Sequence, residues 1–206
     1  MKIKFCGMRR PEDIAAVNEL KPDFTGFILA KGFKRTITAE TAEELGKLVD
    51  QDIKKVGVFV NDDVETVADI VNKGIIDIPQ LHGDEDEEYI AKLRTLCDAQ
   101  IIKVIKIKTE EDVNKAAASS ADYILLDAGT GEGKTFEWQL IKELKRPYIL
   151  AGGLDADNVA EAVKALNPWG VDVSSGIETN GIKDPEKMKE FIKKASPLGE
   201  KLSAAG

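Results

Sequence analysis

The chain has 206 residues, 43% of them hydrophobic, with 29 Lys and Arg against 37 Asp and Glu, a formal charge of −8. That is enough apolar surface for one folded domain, and too acidic a balance for a general nucleic-acid binder. One histidine, His82, excludes histidine-rich metal sites, and the two distant cysteines, Cys6 and Cys97, form no paired redox or metal motif.

The opening MKIKFCGMRR has no apolar run followed by a cleavage site, and no apolar stretch approaches the ~18 residues of a membrane span. The expectation is a soluble chain in a reducing compartment, the cytoplasm, with no membrane or nucleic-acid partner. Strand-like runs are predicted at Lys2–Cys6, Phe24–Ala30, Lys55–Val60 and Ile78–His82 in the first half. The second half adds Ile101–Ile107, Tyr123–Asp127, Tyr148–Ala151 and Gly170–Ser174. Helical patterns separate them. Pro11 opens the first, and the others cover Ala42–Val49, Val64–Val71, Glu88–Leu96, Glu110–Ala118, Glu137–Leu144, Val159–Leu166 and Pro185–Lys194. Asp157 or Asn158 is a candidate cap for the seventh helix.

Strands such as VGVFV and YILLD are nearly continuous apolar runs, which suits parallel strands covered by helices. Strand–helix units recurring at roughly 25 residues predict an α/β fold, a single compact (β/α)8 TIM barrel, in preference to an open doubly wound sheet. The barrel is expected over residues 1–197, with 198–206 as a C-terminal tail.

In such a barrel the chemistry sits where the strands end. LAGGL after strand seven and VSSGIE after strand eight are glycine turns at the two places where barrels often hold a phosphate. Tight turning alone would also explain them. Cys6 ends strand one, either as a base whose thiol pKa is lowered by nearby positive charge, with Arg9 and Arg10 as candidates, or as a small buried hydrophobe. Cys97 fits the second role. Asp127 ends strand six, as a loop organiser or as an acid; strands one and six lie three places apart on the ring, so Cys6 and Asp127 can face each other. His82 ends strand four as a ligand contact or a structural histidine. Arg35, in KGFKR, can pair with a carboxylate. The run DEDEE, Asp84–Glu88, reads as a solvated helix start. Ala128–Thr135, AGTGEGKT, resembles a P-loop with alanine in the first glycine place, but in the sixth of eight regular units it reads more simply as a glycine-rich loop carrying Lys134.

Taken in order, KFCGM, GFILA, VGVFVN, QLHG, LLDAGTGEGKTFEW, LAGGL and GVDVSSGIETNGIKD resemble the phosphoribosylanthranilate isomerase family over about nine-tenths of the chain. The resemblance implies a (β/α)8 barrel with no metal and no organic cofactor. It also implies an Amadori rearrangement of N-(5-phosphoribosyl)anthranilate, in tryptophan biosynthesis, by a monomer or homodimer acting on a small phosphorylated substrate. It assigns Cys6 as general base, Asp127 as general acid and Arg35 as the anthranilate carboxylate's partner. Gly152, Gly153, Ser175 and Gly176 become the phosphate turns; His82 stays a candidate substrate contact by its strand-end place alone. Two places depart from the family pattern. Phe33-Lys34-Arg35 stands where Ser-Pro-Arg is common, and Glu137 stands where Asp is usual.

Overall fold

The computed structural model describes residues 1–128 and 134–196, with side chains except at 134–137. The expected tail 198–206 lies outside the described residues, as do the side chains of Lys134 and Glu137 and most of the P-loop-like segment.

Eight parallel strands close into a barrel in chain order. They are β1 (Lys2–Cys6), β2 (Phe24–Ile28), β3 (Lys54–Phe59), β4 (Ile78–Leu81), β5 (Ile102–Lys106), β6 (Tyr123–Asp127), β7 (Ile149–Ala151) and β8 (Gly170–Val173). β8 pairs back onto β1, with Lys4 opposite Asp172. The outer helices are α1 (Pro11–Leu20), α2 (Ala39–Gly46), α3 (Val64–Asn72), α4 (Glu87–Leu96), α5 (Glu110–Ala118), α6 (Lys134–Lys142), α7 (Val159–Leu166) and α8 (Pro185–Ala195). Closure rules out the open sheet. A two-stranded hairpin, β9 (Glu178–Thr179) with β10 (Ile182–Lys183), follows β8 and was not expected from the sequence.

The period-two alternation of each strand divides the core in two. Ile3 and Phe5 of β1, Leu81 of β4, Ile124 and Leu126 of β6, and Val171 and Val173 of β8 face the helices. Phe24, Val56, Ile78, Ile102, Val104, Leu125 and Ile149 fill the barrel interior. At the strand starts, Tyr123 stacks on Trp169 with ring centroids 5.2 Å apart, and Phe24 packs edge-on against Tyr123 at 6.3 Å. This aromatic plug seals the end away from the site. The same alternation leaves Lys4, Cys6, His82, Asp127, Asp172 and Ser174 on the inward side of their strands.

Helix starts are capped as their sequences suggest. Thr38, Asp63, Asp86 and Thr109 accept the backbone N–H three residues on, and Asp184 accepts from Glu186 and Lys187. α7 differs from expectation: neither Asp157 nor Asn158 caps it by its side chain. Asp155 accepts the N–H groups of both, while Asn158 Oδ1 accepts from Asp155 N. The acidic run is also more than a solvated helix start. Asp86 does cap α4, but Glu85 is buried, paired with Lys103 at 2.8 Å and accepting the N–H groups of Asn61 and Gly83. A buried carboxylate is tolerable because its oxygens are matched by a cation and two donors.

Candidate active site

The strand ends converge on a cavity of about 200 Å³ lined by His82, Asp127, Gly152, Gly153, Asp172, Ser174 and Ser175, among others. Asp127 therefore shares one concavity with both glycine turns. Gly152 and Gly153 have φ of +101° and +58°, conformations that side-chain-bearing residues rarely adopt, so the turn after β7 needs them on backbone grounds alone. Gly176 is demanded by contact. A Cβ there would lie 2.0 Å from the carbonyl oxygen of Leu154, because Gly176 bridges to Asp155 and presses the two turns together. Gly176 joins the two turns, and Ser175 beside it lines the cavity. A larger cleft of about 680 Å³ opens between the loop after β4, strand β5 and α5 and shares His82, but it lies apart from the glycine turns.

His82 Nε2 stands 3.9 Å from Asp127 Oδ2, too far for a direct hydrogen bond. Burial lowers the imidazole's pKa, and Asp127 offsets this only in part, so the ring is neutral near pH 7.

Cys6 is buried one strand away, beside β8. Ser174, which lines the cavity, donates its hydroxyl to the Cys6 carbonyl at 3.0 Å. Burial pushes the Cys6 thiol up, and Lys4 and, more weakly, Lys183 oppose that rise. The charge beside the thiol thus differs from the sequence expectation. Arg9 reaches the carbonyls of Gly181 and Lys34, and Arg10 is bound to Asp13. Cys97 is buried at the end of α4, its thiol directed to the Leu93 carbonyl at 3.6 Å.

Arg35 faces the same region from the loop after β2. That loop is closed by Thr36, whose hydroxyl donates to the Ala30 carbonyl at 2.6 Å and accepts the Phe33 N–H at 3.2 Å. The guanidinium is gripped by Glu178 of the hairpin, Nε and Nη2 donating at 2.6 and 2.7 Å. Lys183 adds a third charge to Glu178 at 2.9 Å and donates to the Ser174 carbonyl at 2.8 Å. Two cations hold the Glu178 carboxyl at about 2 despite its burial.

Sequence reading missed Lys4, Asp172, Glu178 and Lys183. For the first two a signal existed: a charged residue at the inward position of an apolar strand, two places before the strand-end residue. For Glu178 and Lys183 there was none, because two-residue strands carry no periodicity. Among the described residues, no group of three or more His, Cys, Asp or Glu side chains is placed to hold a metal ion.

Residues 3–194 match the family model described as N-(5'-phosphoribosyl)anthranilate (PRA) isomerase. The chain belongs to this family. A relative named N-(5'-phosphoribosyl)anthranilate isomerase from Endomicrobium trichonymphae is 46% identical over 197 residues, spanning 93% of this chain and 96% of its own. The crystal structure of phosphoribosyl anthranilate isomerase from Thermotoga maritima superposes with a TM-score of 0.84 at 34% identity, covering 95% of this chain and 98% of that one. A second crystal structure of the isomerase, in complex with reduced 1-(o-carboxyphenylamino)-1-deoxyribulose 5-phosphate, gives 0.82 at 33% identity, with the same coverage. The protein is thus an isomerase of this family, on the family's barrel. A third structure describes monomers made from the dimeric Thermotoga maritima isomerase, at a TM-score of 0.84 and 33% identity over 95% of this chain and 98% of that one.

Proposed function

We propose that the protein carries out the Amadori rearrangement of N-(5-phosphoribosyl)anthranilate to 1-(2-carboxyphenylamino)-1-deoxyribulose 5-phosphate, a step of tryptophan biosynthesis, with Asp127 as general acid and Cys6 as general base. The observation that carries this reading is the shared cavity: Asp127 and the two glycine turns line one space, and Cys6 abuts it through Ser174.

Asp127 donates a proton to the furanose ring oxygen, the C1–O bond breaks, and the nitrogen lone pair forms an iminium at C1. The thiolate of Cys6 then removes the C2 proton. The C2–H electron pair becomes the C1–C2 double bond of an enolamine, and the iminium π pair returns to nitrogen. Tautomerisation gives the ketone. Two positioned proton transfers suffice, each worth about 10²–10⁴-fold. No metal or organic cofactor enters the proposed steps.

The phosphate sits on backbone N–H groups at Gly152, Gly153, Ser175 and Gly176, and neutral His82 hydrogen-bonds the sugar. Arg35 takes the anthranilate carboxylate. Glu178 engages Nε and Nη2, and a guanidinium has five N–H donors, so the Nη1 edge serves a second carboxylate. The substrate is thereby a small dianionic ester bearing an aryl carboxylate.

The test is a fluorescence assay of freshly made phosphoribosylanthranilate consumed by purified protein. Cys6→Ala and Asp127→Asn should each lower kcat by about 10²-fold or more. Full activity in both variants overturns the assignment.

A further inference from the structure

We infer that Lys4 is a positioning residue for the proton-abstracting step: its buried ammonium is the charge partner of the Cys6 thiolate, an inference that rests on the reading of Cys6 as the base. Lys4 and Cys6 lie on the same inward face of β1, two residues apart. Gly26 of β2 is the register partner of Cys6. A Cβ built on Gly26 would lie 2.9 Å from Cys6 Sγ and 3.3 Å from Lys4 Nζ, so thiol and ammonium converge over the bare Cα of this glycine. Any larger residue at that place would intrude on both.

The Lys4 side chain is 1% exposed, and its ammonium donates to Asp172 Oδ1 at 2.8 Å. A buried ion pair gives little net stability, and apolar residues of similar volume often replace one without loss. Phe24, Val56, Ile102 and Leu125 fill the rest of the interior in just that way. An ion pair set beneath the thiol therefore calls for a reason other than packing. An ammonium has three donors, of which Asp172 takes one, and Sγ is an acceptor at hand.

The charge balance around the thiol points the same way. From β1 comes Lys4, from β8 Asp172, from β10 Lys183, from the loop after β2 Arg35, and from β9 Glu178, which binds the last two. Three cations meet two carboxylates, and a thiolate is the charge that closes the set. Asp172 balances Lys4 and the surplus cation lies with Arg35 and Lys183, but it is the Lys4 ammonium that shares with Sγ the space over Gly26, which makes Lys4 the cation aimed at sulfur. Burial lowers the Lys4 pKa, yet Asp172 and Cys6 more than offset it, so Lys4 stays an ammonium throughout. Lys4 is also the strongest influence opposing the burial-driven rise of the thiol. In the step itself the thiolate lone pair takes the C2 proton, Cys6 becomes a thiol, and Lys4 neither gains nor loses a proton.

The experiment reads the thiolate of Cys6 by its absorbance near 240 nm, as the difference between each protein and its Cys6→Ser counterpart across pH. This readout does not require reagent access. Lys4→Met should raise the midpoint by about one pH unit or more, a tenfold smaller thiolate fraction below it, and should lower kcat far more than it raises KM. The acid limb of the kcat/KM profile should move up by the same amount. Should Lys4→Met fold poorly because Asp172 is stranded, the double variant Lys4→Met with Asp172→Leu removes the pair as a unit, and its midpoint should still rise. Superimposable titrations of wild type and the folded variant overturn the inference. That result, with Cys6→Ala still inactive, would leave Cys6 as the base and remove only the role of Lys4.

Discussion

Glu178 connects three parts of the mouth through one carboxyl group: the loop after β2 through Arg35, the hairpin through Lys183, and the β8 end through the bond of Lys183 to Ser174. Its pKa lies at about 2, below the unbound value of 4.5. A group whose folded pKa is depressed contributes stability that is full above the unfolded value and lost as pH falls through the folded one. The wild-type protein should therefore lose this contribution between about pH 4.5 and 2. Glu178→Gln keeps the shape without the charge, and so should be less stable than wild type at neutral pH. The gap should narrow steadily as the solution is acidified through that window. Thermal unfolding of both proteins at pH 7, 4 and 3 checks this, and a gap that stays constant or widens would reject it. The strand-end places of Cys6 and Asp127 were legible at this scale, because the apolar runs before them fix where β1 and β6 end. Their neighbours were not, since Lys4 and Asp172 sit deeper in the strands and Glu178 acts from the two-residue strand β9.

The turns after β7 and β8 illustrate how elements, not single residues, build the proposed anion site. Gly176→Ala would drive its methyl into the Leu154 carbonyl, a backbone atom that cannot rotate aside. The two turns must then separate, at a cost of about 1–3 kcal/mol, and the amides they present must spread. KM for the phosphorylated substrate should rise by roughly tenfold or more, if one charge-assisted bond is lost, and Tm should fall. Gly74→Ala is the control. Gly74 also has positive φ, +71°, but a Cβ there meets nothing within 4 Å, so the change should cost about 1 kcal/mol and leave KM alone. Equal KM effects in the two variants would mean that the glycines matter only for folding. The same scale explains what the sequence disclosed. Long apolar strands and amphipathic helices were legible, and β1, β6, α5 and α7 have the expected bounds. Other strands end a residue or two early, as in β2 at Ile28 and β4 at Leu81, although Leu29, Ala30 and His82 still donate their N–H groups to carbonyls of β3. The run Asp84–Glu88 misled at Glu85, because a charge run looks solvated until Lys103, on a different strand, is seen to meet it.

Across the whole molecule the charge is divided by radius. The chain carries a net −8, and Asp62, Asp63, Asp84 and Asp86, in the loops after β3 and β4, stand with Glu88 of α4 around a single surface cavity that Lys92 also lines. Lys4, Arg35 and Lys183 instead gather at the centre of the mouth, largely matched by Asp172 and Glu178, so that their pull on an anion is short-ranged. A doubly or triply charged anionic substrate therefore crosses a repulsive outer field before it meets an attractive inner one. The two fields respond differently to salt. At about 0.01 M ionic strength the Debye length is ~30 Å and the acidic periphery is felt across the whole approach, whereas at about 0.15 M it is ~8 Å and only the groups lining the site still act. Raising NaCl over that range should accordingly increase kcat/KM, chiefly through a lower KM. Above about 0.3 M, salt should weaken the central cations too and reverse the trend. A monotonic decline from the lowest salt would mean that the inner cations already dominate at long range, and that the net charge of the chain has no part in substrate capture.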